Sequence, residues 1–271
     1  MKSTIIFIHG MFQNAKSWDT WVKYFTDKGY NCIAESWPLH EGEPAQLRAN
    51  PPAGLGELKL ATVIDKYRQL ASSQTEKPIL IGHSVGGLIT QILVNEGLAK
   101  LGVPISPVAP NGMITIDWEF TKNSAAIMNP LKGDEPFTMN LEGFQDSFAN
   151  TMSIEQVKEL FERTATHDSR NVLRNCMGED GKVDLDLPHV PLLFIAGVED
   201  HIIPYELVEK NSKAYTDEIS SVSFRKFAGR SHFICVEPGY DEVLTVVADW
   251  IEQKEDAPIY KEVDPTKLPN E

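Results

Sequence analysis

Gly82-His83-Ser84-Val85-Gly86 is a G-x-S-x-G string that follows the apolar run Pro78 to Ile81 and opens a helical pattern. That is the strand–turn–helix setting in which such a serine can act as a nucleophile. Glycines on both sides let strand and helix approach without Cβ clashes while the serine stands on a strained turn. The serine also lies at a helix N-terminus, whose free N–H groups favour developing negative charge. A plain serine helix cap is the bland alternative, and it needs no flanking glycines. A hydroxyl is a weak nucleophile until a base takes its proton. Of seven histidines, His232 is the candidate base, because Gly229-Arg230-Ser231-His232-Phe233 forms a loop after a strand and before the last helix. His9 and His83 belong to glycine-flanked turns, and His40, His167, His189 and His201 lie in polar or proline-rich segments.

A catalytic imidazole needs a carboxylate to fix its tautomer and stabilise its cation. Asp200, just past the run Leu192 to Gly197, is the candidate, with its neighbour Glu199 and the more distant Asp117 as rivals. The oxyanion formed in acyl transfer needs N–H donors. Val85, next after the serine, supplies one. The loop His9-Gly10-Met11-Phe12 supplies the other, with Met11 N–H as the candidate. Phe12, His83, Ile202 and Phe233 flank these groups and are the candidate pocket wall.

These residues must be positioned by elements that the hydrophobic pattern outlines. Thr4 to Ile8 is a short continuous apolar run, as expected of a buried parallel strand. Further strands are expected at Asn31 to Ala34, Pro78 to Ile81, Val103 to Val108, Pro191 to Ala196 and Val222 to Phe227. Between them run helical stripes: Trp18, Trp21, Val22 and Phe25; Leu60, Val63, Ile64 and Tyr67; Leu88, Ile89, Ile92 and Leu93. A helix follows Pro204, and Val243, Val246, Val247, Trp250 and Ile251 mark the last one. Strands alternating with helices predict an α/β fold with a mainly parallel sheet of about six strands. Residues 111–188 break the rhythm, holding helical pieces such as Ser153 to Thr164 with a capping-box pattern, but no buried-strand run. They read as a helical insertion over one end of a core made of 1–110 and 189–253. Residues 254–271, rich in charge and proline, read as a solvated tail.

With 25 Lys and Arg against 39 Asp and Glu, the formal charge is −14, which argues against nucleic acid and anionic membranes as partners. No apolar run reaches the roughly 18 residues that a membrane span needs. The opening residues are too short for a secretory signal. Three cysteines, Cys32, Cys176 and Cys235, are too few and scattered for a disulfide framework or a zinc site, and they fit a cytoplasmic location. No metal or other cofactor is expected.

His9-Gly10, Gly82 to Gly87, Asp200 and His232, in the order Ser, Asp, His, resemble the α/β-hydrolase superfamily from Thr4 to about Glu252. The resemblance implies the α/β-hydrolase fold, with 111–188 as its variable cap and without the usual leading antiparallel hairpin. It implies a serine hydrolase of the carboxylesterase kind acting on a small or medium apolar ester. A serine nucleophile disfavours dehalogenase and epoxide hydrolase chemistry, and Phe233 stands where plant hydroxynitrile lyases carry a lysine. Cofactor-free haloperoxidase or perhydrolase activity and carbon–carbon bond hydrolysis remain open on the same triad. So does a non-catalytic protein that captures a small ligand.

Overall fold

In the first strand, Ile5 and Phe7 point to one face and Ile6 and Ile8 to the other, and all four are buried. Side chains alternate along a strand, so a run that is apolar at every position requires cover on both faces. The computed structural model describes residues 2–114 and 118–255 and supplies that cover. The chain runs β1 (Thr4–Ile8), α1 (Asp19–Asp27), β2 (Asn31–Ala34), α2 (Pro44–Ala49), α3 (Leu60–Ser72), β3 (Ile79–His83), α4 (Val85–Asn95) and β4 (Leu101–Ile105). Among the described residues five α-helices follow: α5 (Asn111–Ile114), α6 (Trp118–Met128), α7 (Leu141–Phe148), α8 (Ile154–Thr164) and α9 (Arg170–Cys176). The core then resumes with β5 (Leu192–Gly197), α10 (Tyr205–Lys213), β6 (Val222–Phe227) and α11 (Tyr240–Glu255).

Among the described residues six strands pair in parallel in the order β2-β1-β3-β4-β5-β6, a parallel sheet of the size expected from the sequence. One apolar cluster joins Ile5, Phe7, Ile79, Ile81 and Val103 to α1 and α11. The other joins Ile6, Ile8, Leu80 and Phe194 to α3, α4 and α10. Strand order reverses between β1 and β3, and in open α/β sheets ligands bind beyond the carboxyl ends of the strands at such a switch point.

Several boundaries differ from expectation: β3 runs on to His83 and β5 is shifted by one residue. β4 starts two residues before the expected run and ends three residues before its end, at Ile105, because Ser106 takes a φ of 39° and Pro107 has no N–H to continue the ladder. Trp18 closes a 3-10 turn over Ala15–Trp18, so the α-helix that carries Trp21 and Phe25 starts at Asp19. At α8 the Ser153–Gln156 capping box is formed on both arms. No helix of the described residues is long and apolar enough to cross a membrane. The three cysteines are unpaired, with Cys176 and Cys235 buried. Of the tail, 256–271 lies outside the described residues.

The five helices between β4 and β5 meet the core at loops beyond the carboxyl ends of three strands. Asp168 and Thr166 bond to Phe12 after β1, Asn150 Nδ2 to the Glu199 carbonyl after β5, and Phe148 O to the Phe233 N–H after β6. Arg48 of α2 braces the same helices, donating to the Phe161 and Ala165 carbonyls at the end of α8.

Candidate active site

Ser84 sits between β3 and α4 with φ 57° and ψ −119°, a left-handed backbone that only a tightly held turn sustains. The glycines explain how the turn closes. A Cβ on Gly82 would lie 2.1 Å from the Gly86 carbonyl oxygen, and one on Gly86 would lie 2.2 Å from the Ile8 carbonyl oxygen. The Ser84 N–H donates to Ile105 O, and Ser84 O accepts from Gly87, Leu88 and Val108. The serine is therefore locked between strand, helix and the loop after β4.

Asp200 and His232 lie on the loops after β5 and β6. These loops approach closely because Gly197 has no side chain; a Cβ there would stand 2.5 Å from Arg230 O. Asp200 Oδ1 accepts the Ile202 and Ile203 N–H groups at 2.8 Å each, which leaves Oδ2 for His232 Nδ1 at 2.7 Å. A carboxylate only accepts, so Nδ1 carries the proton toward it and Nε2 is left as an acceptor in the neutral ring. His232 is fully buried, and its Nε2 has no hydrogen-bond partner among the described residues. Leaving a buried polar atom unpaired costs about 1–3 kcal/mol, a cost that proteins retain where the atom has work to do.

Glu199 does not share this position. Its carboxylate accepts the Arg230 N–H at 3.1 Å and so braces the histidine loop from the side. Glu237 fixes Ser231 through its N–H at 3.0 Å and its hydroxyl at 2.7 Å. Asp117 lies outside the described residues. His83 Nε2 donates to the His232 carbonyl at 2.8 Å, and the two rings stand 4.7 Å apart. Burial, and then the neighbouring His232, hold the His83 pKa well below the usual imidazole range, so it is a neutral prop.

The loop after β1 lies directly against the serine. A Cβ on Gly10 would fall 2.7 Å from Ser84 Cβ. His9 is buried and neutral, its pKa held down by burial and by His40. Its Nε2 accepts the Trp37 N–H at 2.9 Å, so its Nδ1–H donates to Gly10 O at 2.8 Å. The backbone N–H groups of Met11 and Val85 have no hydrogen-bond partner among the described residues. Sequence reasoning missed two groups beside this loop. Asp168 accepts the Phe12 N–H, and His40 lies 3.4 Å from the same carboxylate. Neither sits in a glycine motif or at a strand end, so nothing local marks them.

Ile202 lines a cavity of about 140 Å3 together with Ile127, Phe137, Met139, Gly143 and Phe148. Phe148 also packs edge-on to the His232 ring at 5.2 Å, so the cavity begins one side chain away from the imidazole. Phe12 packs against Phe137 and Phe148, two members of that wall. Phe233 is buried against Phe144.

The sequence model of the alpha/beta hydrolase family matches residues 5–244. Solved structures of similar fold include the monoacylglycerol lipase of Paleococcus ferrophilus, with a TM-score of 0.70 and 17% identity over 93% of this chain and 94% of that one. A pyrethroid hydrolase from Sphingobium faniae has a TM-score of 0.69 and 16% identity over 94% and 99% of the two chains. An extracellular alpha/beta-hydrolase from a Paenibacillus species has a TM-score of 0.69 and 16% identity over 92% and 98%. No curated protein matches the chain in sequence.

Proposed function

The chain belongs to the alpha/beta hydrolase family, and on that premise we propose that it is a serine hydrolase cleaving carboxylic esters of a small or medium apolar substrate. The observation that carries the reading is the Asp200–His232 couple at 2.7 Å with a buried, unpartnered Nε2, on the loops beside the left-handed Ser84 turn. A helix-capping serine would need neither a buried base nor a strained φ. The presence of a lipase and two hydrolases among its structural relatives agrees with it.

In this mechanism Ser84 Oγ attacks the ester carbonyl as His232 Nε2 takes its proton, and Asp200 holds the imidazole in the required tautomer and stabilises its cation. The Met11 and Val85 N–H groups hold the oxyanion, each worth about 2.7–4 kcal/mol in the transition state. Collapse expels the alcohol, protonated by His232. Water then attacks the acyl-enzyme with His232 again as base, which returns Ser84 and releases the acid. Residues 111–188 act as a cap over the carboxyl ends of the strands, and the cavity bounded by Ile202, Met139 and Phe148 receives an apolar group of the substrate.

The test is labelling by a fluorophosphonate together with turnover of p-nitrophenyl esters from acetyl to decanoyl. Wild type labels at Ser84 and hydrolyses short to medium esters, whereas folded Ser84→Ala does neither. Folded wild type that never labels would leave the ligand-capture reading in its place.

A further inference from the structure

Phe12 has a φ of 62°, a backbone that an aromatic residue keeps only when its surroundings hold it there. Its backbone hydrogen bonds and its ring–ring contacts among the described residues come from the segment between β4 and β5. Its N–H donates to Asp168 Oδ2 at 2.9 Å, its carbonyl accepts the Thr166 N–H at 2.9 Å, and its ring meets Phe137 and Phe148 edge-on. The preceding peptide is held from the other side. In a trans peptide the C=O and N–H point in opposite directions, so His9 Nδ1–H, by binding Gly10 O, aims the Met11 N–H away from itself. Met11 is thus clamped between two fixed peptides, one held by His9 and the next by Asp168.

Asp168 is fully buried, and a buried carboxylate persists only when it is paired and hydrogen-bonded. Its Oδ1 accepts the Ser169 N–H at 2.7 Å, and its backbone exchanges two hydrogen bonds with Phe137. His40 Nε2 lies 3.4 Å from Oδ2, while His40 Nδ1 lies 3.0 Å from the Pro38 carbonyl. Burial lowers the His40 pKa, and the Asp168 carboxylate opposes it strongly enough that the net shift is upward.

We propose that Asp168 is a positioning residue for the oxyanion hole: it holds Phe12 in the left-handed turn that keeps the Met11 N–H aimed at the reacting carbonyl. The proposal rests on the ester-hydrolase reading above. It assigns to the covering segment a strut for the chemistry beneath it as well as a wall for the substrate.

Two variants test it. Asp168→Asn sets an amide NH2 against either the Phe12 or the Ser169 N–H, and Asp168→Ala leaves the Phe12 N–H unpaired. The readout compares p-nitrophenyl acetate with its thionoester, whose sulfur accepts hydrogen bonds poorly and so gains little from the hole. Loss of one oxyanion donor costs about 10²–10³ in kcat. Either variant should therefore lose about 100-fold in kcat on the acetate with little change in KM, and its ester-to-thionoester ratio should fall by about tenfold or more. Val157→Ala, which removes buried core of α8 in the same segment, should keep the wild-type ratio. An unchanged ratio in a folded Asp168 variant, or an equal fall in Val157→Ala, overturns the proposal. If neither Asp168 variant folds, amide exchange in the wild type decides. The Phe12 N–H should exchange about 100-fold more slowly than the unpartnered Met11 N–H, and equal rates overturn the proposal. A wild type that neither labels nor turns over sinks the hydrolase reading itself, whereas an active wild type with indifferent variants sinks only the role of Asp168.

Discussion

Gly10→Ala tests the approach of the loop after β1 to the serine. The new Cβ would lie 2.7 Å from Ser84 Cβ, 3.0 Å from His83 O and 3.4 Å from His83 Nδ1. Non-bonded carbons sit at about 3.5–4.0 Å, so the loop must retreat by about 1 Å. Ser84 cannot yield instead, since its carbonyl is bound by three N–H groups and its own N–H by Ile105 O. The Met11 N–H is the next donor along the chain and moves with the loop. A hydrogen bond of about 2.9 Å stretched by about 1 Å is no longer one. The expected loss is one oxyanion donor, about 2.7–4 kcal/mol or 10²–10³ in kcat, with a stability cost of about 1–3 kcal/mol for overpacking. The assay is kcat and KM on p-nitrophenyl acetate, alongside a urea midpoint that verifies folding. Gly112→Ala, where a Cβ meets nothing within 4 Å, is the control and should leave kcat unaltered. If folded Gly10→Ala keeps kcat within about threefold of wild type, a change of only ~0.65 kcal/mol, the loop does not carry the donor.

Three further outcomes are expected. Ser84→Gly should abolish labelling and turnover yet raise stability by about 1 kcal/mol, since glycine takes the left-handed φ freely; a lower urea midpoint would contradict the strain. Asp200→Asn should lower kcat by about 10⁴, because the amide favours the wrong tautomer of His232, and an active Asp200→Asn beside an inactive Glu199→Gln would move the role to Glu199. His83 is neutral when folded, whereas unfolded it takes a proton below its ordinary 6.5. The unfolded state then binds more protons as pH falls, so the contribution of His83 is complete above about 6.5 and lost below it. His83→Gln should therefore flatten the fall in stability between about pH 6.5 and 5 by up to ~1.4 kcal/mol per pH unit, measured by urea titration at several pH values; equal slopes would assign the acid sensitivity elsewhere.

The sequence by itself determined the elements whose signals are local. Period and composition located β1 and α3, because a strand covered on both faces is apolar throughout and a half-covered helix is apolar on one stripe, and they located the edge strands β2 and β6 although these are only partly buried. The G-x-S-x-G turn was legible for the same reason: Gly82 and Gly86 answer to atoms within a few residues or on the adjoining strand end. The end of β4 was blurred by Pro104 and Pro107, which disturb the hydrophobic pattern where Ser106 turns the chain.

The relations between distant loops belonged to the tertiary structure alone. That Asp200, rather than Glu199, meets His232 depends on how the turn after β5 is pinned by the Ile202 and Ile203 N–H groups, and adjacent acidic residues look alike in a sequence. His40 and Asp168 are 128 positions apart, in segments with no motif, and a contact of that separation leaves no periodic trace. Asp168 and Thr166 reach across to Phe12 from within 111–188, and only packing brings the loop after β1 under them. A sequence encodes which groups demand a partner when buried, while the choice of partner is made by whichever elements the fold stacks against them.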